Sequence, residues 1–179
     1  GQRRTLVSAS AIGFYGAHAS HGPNPPFLTE TEPHGDDVLA KTCLNWEETG
    51  RSDKYRSVQL RMGLVLTAAG GLMGTLLPLV SRGLAGSLGE HLWNSWVSVG
   101  DACRAYVFAL INEDMEGPYN VVNDNPILND HLIKAYADAL GQTSFLPVPS
   151  FAPKLILGSE GADVLALASQ RVDNQKIKD

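Results

Sequence analysis

The stretch Val7-Ser8-Ala9-Ser10-Ala11-Ile12-Gly13-Phe14-Tyr15-Gly16 decides how this chain is read. Its first six residues are small or apolar, as in a buried strand, and a glycine-flanked turn follows at once. Ser8 and Ser10 are two apart, so they share one face of a regular strand. In open α/β sheets ligands sit beyond the carboxyl ends of the strands, where a serine hydroxyl can bond a reacting oxygen. Small-residue packing in a crowded sheet is the competing explanation. The turn favours function, because it leaves Tyr15 near the same end. A strand this apolar belongs at a sheet's centre, yet the residues before it encode no neighbour. The chain is therefore expected to be the second half of a larger fold.

Outward from this strand, the pattern alternates. Strands are expected at 5–12, 57–66, 95–99, 119–122 and 145–148. Helices are expected at 37–49, 72–82, 101–112, 129–140, 153–157 and 163–169. Such alternation argues an α/β class with a mostly parallel sheet. Segment 57–66 alternates and then turns wholly apolar, as a central parallel strand does. Helix 37–49 carries an apolar line of Leu39, Cys43 and Trp46 and ends at Gly50. Residues 17–36 are polar and rich in proline and histidine, a loop long enough to suggest a function beyond connection.

A length of 179 residues suits one domain, or one with a small lobe. The chain is 44% hydrophobic and 18% charged, the balance of a soluble globular protein. A net charge of −5 argues against nucleic acid or an anionic membrane as partner. No apolar run reaches the roughly 18 residues of a membrane span, and nothing resembles a signal peptide. Cys43 and Cys103 make no disulfide or metal framework, so a cytoplasmic location is expected.

Several constellations carry less than their spacing suggests. Gly83, Gly86 and Gly89 repeat every third residue, like a phosphate-cradling fingerprint. That motif needs a strand before it and a helix after it, and here a helix precedes, so a substrate-side loop is expected. His18 and His21 lack an adjacent acidic ligand, so no metal site is expected. Asp37 and Lys41 have the spacing of an exposed helical ion pair. Trp93 and Trp96 fit core packing or a substrate wall.

The motifs together resemble a known family. SASAIGFYG (8–16), LTETEPHGDD (28–37), Trp46-Glu47, RMGLVL (61–66), GLAGSLGE (83–90), SWVSVGD (95–101), GPYNVVNDNPILN (117–129) and ALASQRV (166–172) are collinear with atypical extended short-chain dehydrogenases. These are NAD(P)-dependent epimerase-like proteins, and the similarity is to their carboxyl-terminal half. The resemblance implies the carboxyl-terminal part of a Rossmann-like, doubly wound parallel sheet plus a small α/β substrate lobe. It divides the chain at 1–116 and 117–179. It implies NADP or NAD as cofactor, a small-molecule substrate, and a partner in the missing amino-terminal half that carries the glycine fingerprint. A homo-oligomer is a further expectation.

Residue by residue, the resemblance assigns catalysis to Ser10 and Tyr15. It assigns cofactor contact to Ser8, Ala9, Arg61, Met62 and Gly63, and a helix-opening anion to Asp101. Two departures bear on the chemistry. Typical members use a Tyr-x-x-x-Lys pair whose lysine lowers the tyrosine pKa. The matching positions here are Leu39 and Cys43. Nucleotide-sugar epimerases place an arginine where this chain has Asn94, which argues against a nucleotide-sugar substrate. The expected function is an NAD(P)-dependent oxidoreductase or epimerase in which Ser10 polarises a carbonyl or hydroxyl while loops 17–36 and 83–90 close over the substrate. The alternative is a non-catalytic dinucleotide-binding sensor.

Overall fold

The structure is a computed structural model that describes residues 4–84, 86, 91–142 and 168–179. In chain order its elements are β1 (Thr5–Ala11), a 3-10 turn (Ile12–Tyr15), α1 (Val38–Thr49), β2 (Arg56–Met62), β3 (Leu64–Leu66), α2 (Gly71–Val80), β4 (Trp93–Asn94), β5 (Trp96–Ser98), α3 (Val99–Ile111), β6 (Gly117–Val121), β7 (Ile127–Leu128) and α4 (Asn129–Ala139). The main sheet is parallel throughout, in the order β1-β2-β6. β3 pairs in parallel with β5, and β4 pairs antiparallel with β7. The expected α/β class with a parallel sheet is what the chain forms.

Strand alternation gives this sheet two chemically different faces. Val7, Val58, Leu60, Met62, Tyr119 and Val121 face α3 and close over its Ala102, Ala105 and Ala109. Ser8 and Gln59 stand side by side on the opposite face, as do Ser10, Arg61 and Asn120. α1 covers this polar face. Arg56 fixes α3 to the sheet from its far end: its guanidinium donates to the carbonyls of Ala109, Leu110 and Met115. A buried cation at a helix carboxyl terminus satisfies carbonyls that have no partner within the helix.

Two expectations change, at Gly63 and at Asp37. The strand expected at 57–66 breaks at Gly63 into β2 and β3. A Cβ at Gly63 would lie 2.6 Å from the Ser95 carbonyl oxygen, so only glycine lets the chain cross there. β1 is the outer strand of the described sheet. The expected division at 116/117 falls just before β6, which bonds to β2. Asp37 does not serve an ion pair with Lys41: its carboxylate caps α1 through the Ala40 amide at 2.8 Å and takes the Ala17 amide at 2.7 Å. The elements expected at 145–148 and 153–157, residues 163–167 of the last expected helix, and residues 85 and 87–90 of the glycine loop lie outside the described residues.

One ion pair joins α1 to β2. Arg61 donates from Nε to Glu47 Oε1 at 2.8 Å and from Nη2 to Oε2 at 2.9 Å. Glu47 is 0% exposed and Arg61 2%. A forked guanidinium–carboxylate pair satisfies both ions inside the protein, and removing one partner strands the other. Glu47→Gln is expected to lower unfolding stability by about 3 kcal/mol, read as a drop in the urea midpoint. Glu47→Gln with Arg61→Met should recover part of that loss. A single-variant change below about 0.5 kcal/mol, the scale of a surface pair, would count against the pair's role.

Candidate functional site

The residues assigned to catalysis and cofactor contact lie at or just past the carboxyl ends of β1 and β2, and the two faces separate them. On the α1 face the polar side chains form one connected network. Ser10 donates to Glu47 Oε1 at 2.8 Å. Arg61 binds Glu47 and also donates from Nη1 to the Tyr15 hydroxyl at 3.1 Å. Tyr15 in turn donates to Asn120 Oδ1 at 2.7 Å, and the Asn120 amide donates to Glu30 Oε1 at 2.7 Å. The Arg61 guanidinium also lies 3.5 Å from the Phe14 ring centroid. Burial pushes the Tyr15 phenol above its ordinary value, and the Arg61 cation opposes that rise.

Ser10, Tyr15 and Arg61 are thus together, but all are buried. The Ser10 hydroxyl, expected at the substrate, is bonded to Glu47. Arg61, expected at the cofactor, is committed to Glu47 and Tyr15. Ser8 points to the same face, and its hydroxyl is buried with no hydrogen-bond partner in the structure. Gly63 is a packing glycine whose amide donates to the Val121 carbonyl at 3.1 Å.

Ala9 and Met62 belong to the other face. Ala9 is exposed, and Ala11 and Met62 are half-buried beside it. These residues make a low shelf at the carboxyl end of β1, with backbone approachable because Ala9 carries no more than a methyl group. The two faces meet where Ala11 passes into the 3-10 turn that carries Tyr15.

Leu39 and Cys43, at the positions of the family's Tyr-x-x-x-Lys pair, pack beneath this turn. A Cβ at Gly13 would lie 2.7 Å from Leu39 and 3.9 Å from the Cys43 sulfur. Burial also pushes the Cys43 thiol upward. Asn94 accepts from Asn129 at 3.1 Å, an internal contact of the β4–β7 region. Trp93 donates to the Gly22 carbonyl and stacks under Arg171, so it packs the loop rather than lining an open wall. The rings of His18 and His21 stack 6.4 Å apart, and no group of three or more metal-ligating side chains occurs among the described residues. Asp101 sits in the first turn of α3, where the hydrogen bond from the Ser98 hydroxyl and the Arg104 cation hold its carboxyl below the usual range. No described helix is long and apolar enough to cross a membrane.

Sequence reasoning passed over Glu47, Asn120 and Glu30. Glu47 gave one signal: it continues the buried line of Ala40 and Cys43 along α1, where a carboxylate needs an internal cation. Asn120 and Glu30 gave none, because their partners are 105 and 90 residues away in sequence.

Comparison with known proteins places these observations. Residues 148–179 match the family model described as a domain of unknown function, DUF1731. An epimerase family protein of Mycobacterium tuberculosis is 34% identical over 171 residues, which cover 93% of this chain and 55% of that protein. A chloroplastic epimerase family protein of Arabidopsis thaliana is 35% identical, covering 93% of this chain and 47% of its own length. The crystal structure of the human epimerase family protein SDR39U1 with NADPH superimposes with a TM-score of 0.84 at 26% identity, over 97% of this chain and 58% of that one. The chain thus spans about half the length of the relatives it matches. Over the residues it contains, the chain belongs to the epimerase-like family of extended short-chain dehydrogenases.

Proposed function

We propose that this chain supplies the reacting half of an NAD(P)-dependent oxidoreductase or epimerase-like enzyme acting on a small molecule other than a nucleotide sugar. The observation that carries the proposal is the Ala9–Ala11–Met62 shelf: an exposed Ala9 beside half-buried Ala11 and Met62 at the carboxyl end of a parallel strand, in a fold matched by a protein solved with NADPH. The shelf fits a flat ring lying against the strand. NADP or NAD held there would supply or accept a hydride.

In this reading Tyr15 moves the proton. Its phenol stays protonated at neutral pH, and Arg61 stands beside it as the cation that the Tyr-x-x-x-Lys pair draws from lysine. Ser10 acts as a positioning residue through Glu47, which fixes Arg61. Asn94, bonded to Asn129, is no clamp for a diphosphate, which supports a substrate other than a nucleotide sugar. The rest of the cofactor site is a second Rossmann half that pairs with the outer edge of β1 and packs on α3. Support for that partner is the apolar outer face of α3, where Val107 is 57% and Ile111 72% exposed, and the half-length match to the relatives.

Two measurements test this. Calorimetric titration of NADPH, then NADH, should show binding to the polypeptide extended upstream in its own reading frame, and Ala9→Phe should weaken it at least tenfold by filling the shelf. Binding unaffected by Ala9→Phe removes the shelf from the cofactor site, and binding to neither polypeptide favours a role without a dinucleotide. Ultraviolet titration of Tyr15→Phe should remove a phenol that ionises above the ordinary tyrosine value; loss of an ordinary one contradicts the assignment of Tyr15.

A further inference from the structure

The network of Ser10, Glu47, Arg61, Tyr15 and Asn120 is buried, yet the proposed chemistry needs a substrate to reach it. Two segments bear on access: the loop 17–37 and the extended segment 168–174, which come from opposite ends of the chain. We propose that residues 168–174 are a latch that holds the loop closed, so that releasing the latch admits a substrate to Tyr15. The inference rests on the reading above only for its meaning in catalysis.

The loop's two ends have holds besides the latch, although the Ser169 amide also donates to the Ala17 carbonyl at 2.6 Å. Asp37 takes the Ala17 amide, and the Gly35 amide donates to the Phe14 carbonyl at 2.9 Å. Gly16 and Gly35 touch backbone to backbone, since a Cβ on Gly35 would lie 2.5 Å from the Gly16 Cα. The middle of the loop depends on the latch. The Ser20 amide donates to the Ser169 carbonyl at 3.0 Å, and the Ser20 hydroxyl accepts from the Arg171 amide at 2.8 Å. The Leu28 amide donates to the Arg171 carbonyl at 2.8 Å, and its carbonyl accepts from Asp173 at 2.9 Å. The Arg171 side chain reaches Asn24 and the Pro25 carbonyl, with its guanidinium over Phe27.

The other side of the latch is held beside the strand ends. The Ser95 hydroxyl donates to the Gln170 carbonyl and accepts from the Val172 amide, both at 2.9 Å. Gln170 donates from its side chain to the Gly16 carbonyl at 2.8 Å. Asn174 donates to the Val122 carbonyl at 2.7 Å. The Ser95 carbonyl also accepts from Leu64, just past the Gly63 crossing, so the latch and the end of β2 share one anchor. Most of these holds are hydrogen bonds, each contributing about 0.5–1.5 kcal/mol net, because water replaces them on opening. Val172 is the one fully buried apolar side chain that the latch adds among its described residues. A segment held this way opens locally at lower cost than a packed strand. Glu30 carries the event inward: it lies two residues past Leu28 and holds the Asn120 amide beside the Tyr15 hydroxyl.

Amide hydrogen exchange of Ser95→Ala against the unaltered chain tests this. The Ser20, Leu28 and Asn120 amides should exchange at least tenfold faster, while Val58 and Leu60 in β2 keep their rates. Gln170→Ala should show the same pattern, which separates latch release from any repacking at Ser95. Unchanged Ser20 and Leu28 would overturn the latch. Faster Ser20 and Leu28 with an unchanged Asn120 would overturn its link to the network. Equal acceleration in β2 would mean global destabilisation and would overturn the proposal too. These outcomes are read without cofactor, so they stand apart from the NADPH titration.

Discussion

The fork between Arg61 and Glu47 is the contact on which the rest of the structure depends. It ties the middle strand of the sheet to the helix that covers it, and it does so with two charges that no water reaches. Three further polar side chains on that face are then held by the fork. Ser10 completes Glu47, Tyr15 takes the spare Arg61 donor, and Asn120 takes the Tyr15 proton. An apolar pair of similar volume could hold the helix as well, so such a network contributes less to stability than to a unique arrangement. That arrangement sets the Tyr15 hydroxyl beside a cation.

Strand alternation divides the work. One face of the sheet is a polar machine sealed under α1, and the other is an apolar seat for α3 that opens onto small residues at the strand ends. A set of site residues consecutive in sequence is thereby split in space. Ser8, Ser10 and Arg61 go to the polar face, where Ser10 and Arg61 join the network, and Ala9 and Met62 to the shelf. The two meet at the turn after β1, where the proposed function brings proton and hydride chemistry together.

Much of this was legible in the sequence. The run from Val7 to Ile12, the capped helix ending at Gly50 and the alternation from Ser57 each encode their structure locally, through period and punctuation. β3 was not, because Gly63 breaks the strand for the sake of a carbonyl from Ser95. The loop 17–36 reads as unsupported, since nothing near it in sequence shows that residues 169–173 hold it. Asp37 and Lys41 mislead for a related reason: a helical spacing permits an ion pair, but the first-turn amide of Ala40 and the distant amide of Ala17 compete for the same carboxylate. The site followed the same rule. Hydroxyls at a strand end are visible, whereas their burial under α1 depends on a single carboxylate, Glu47, whose partner lies on another element.

The most direct measurement is methyl-resolved nuclear magnetic resonance of the upstream-extended polypeptide, labelled at alanine and methionine and titrated with NADPH. The account predicts that the signals of Ala9, Ala11 and Met62 move with one common affinity while Ala40, on the buried side of α1, stays in place. Movement at Ala40 with a still Ala9 would put the cofactor on the wrong face of the sheet and contradict the account.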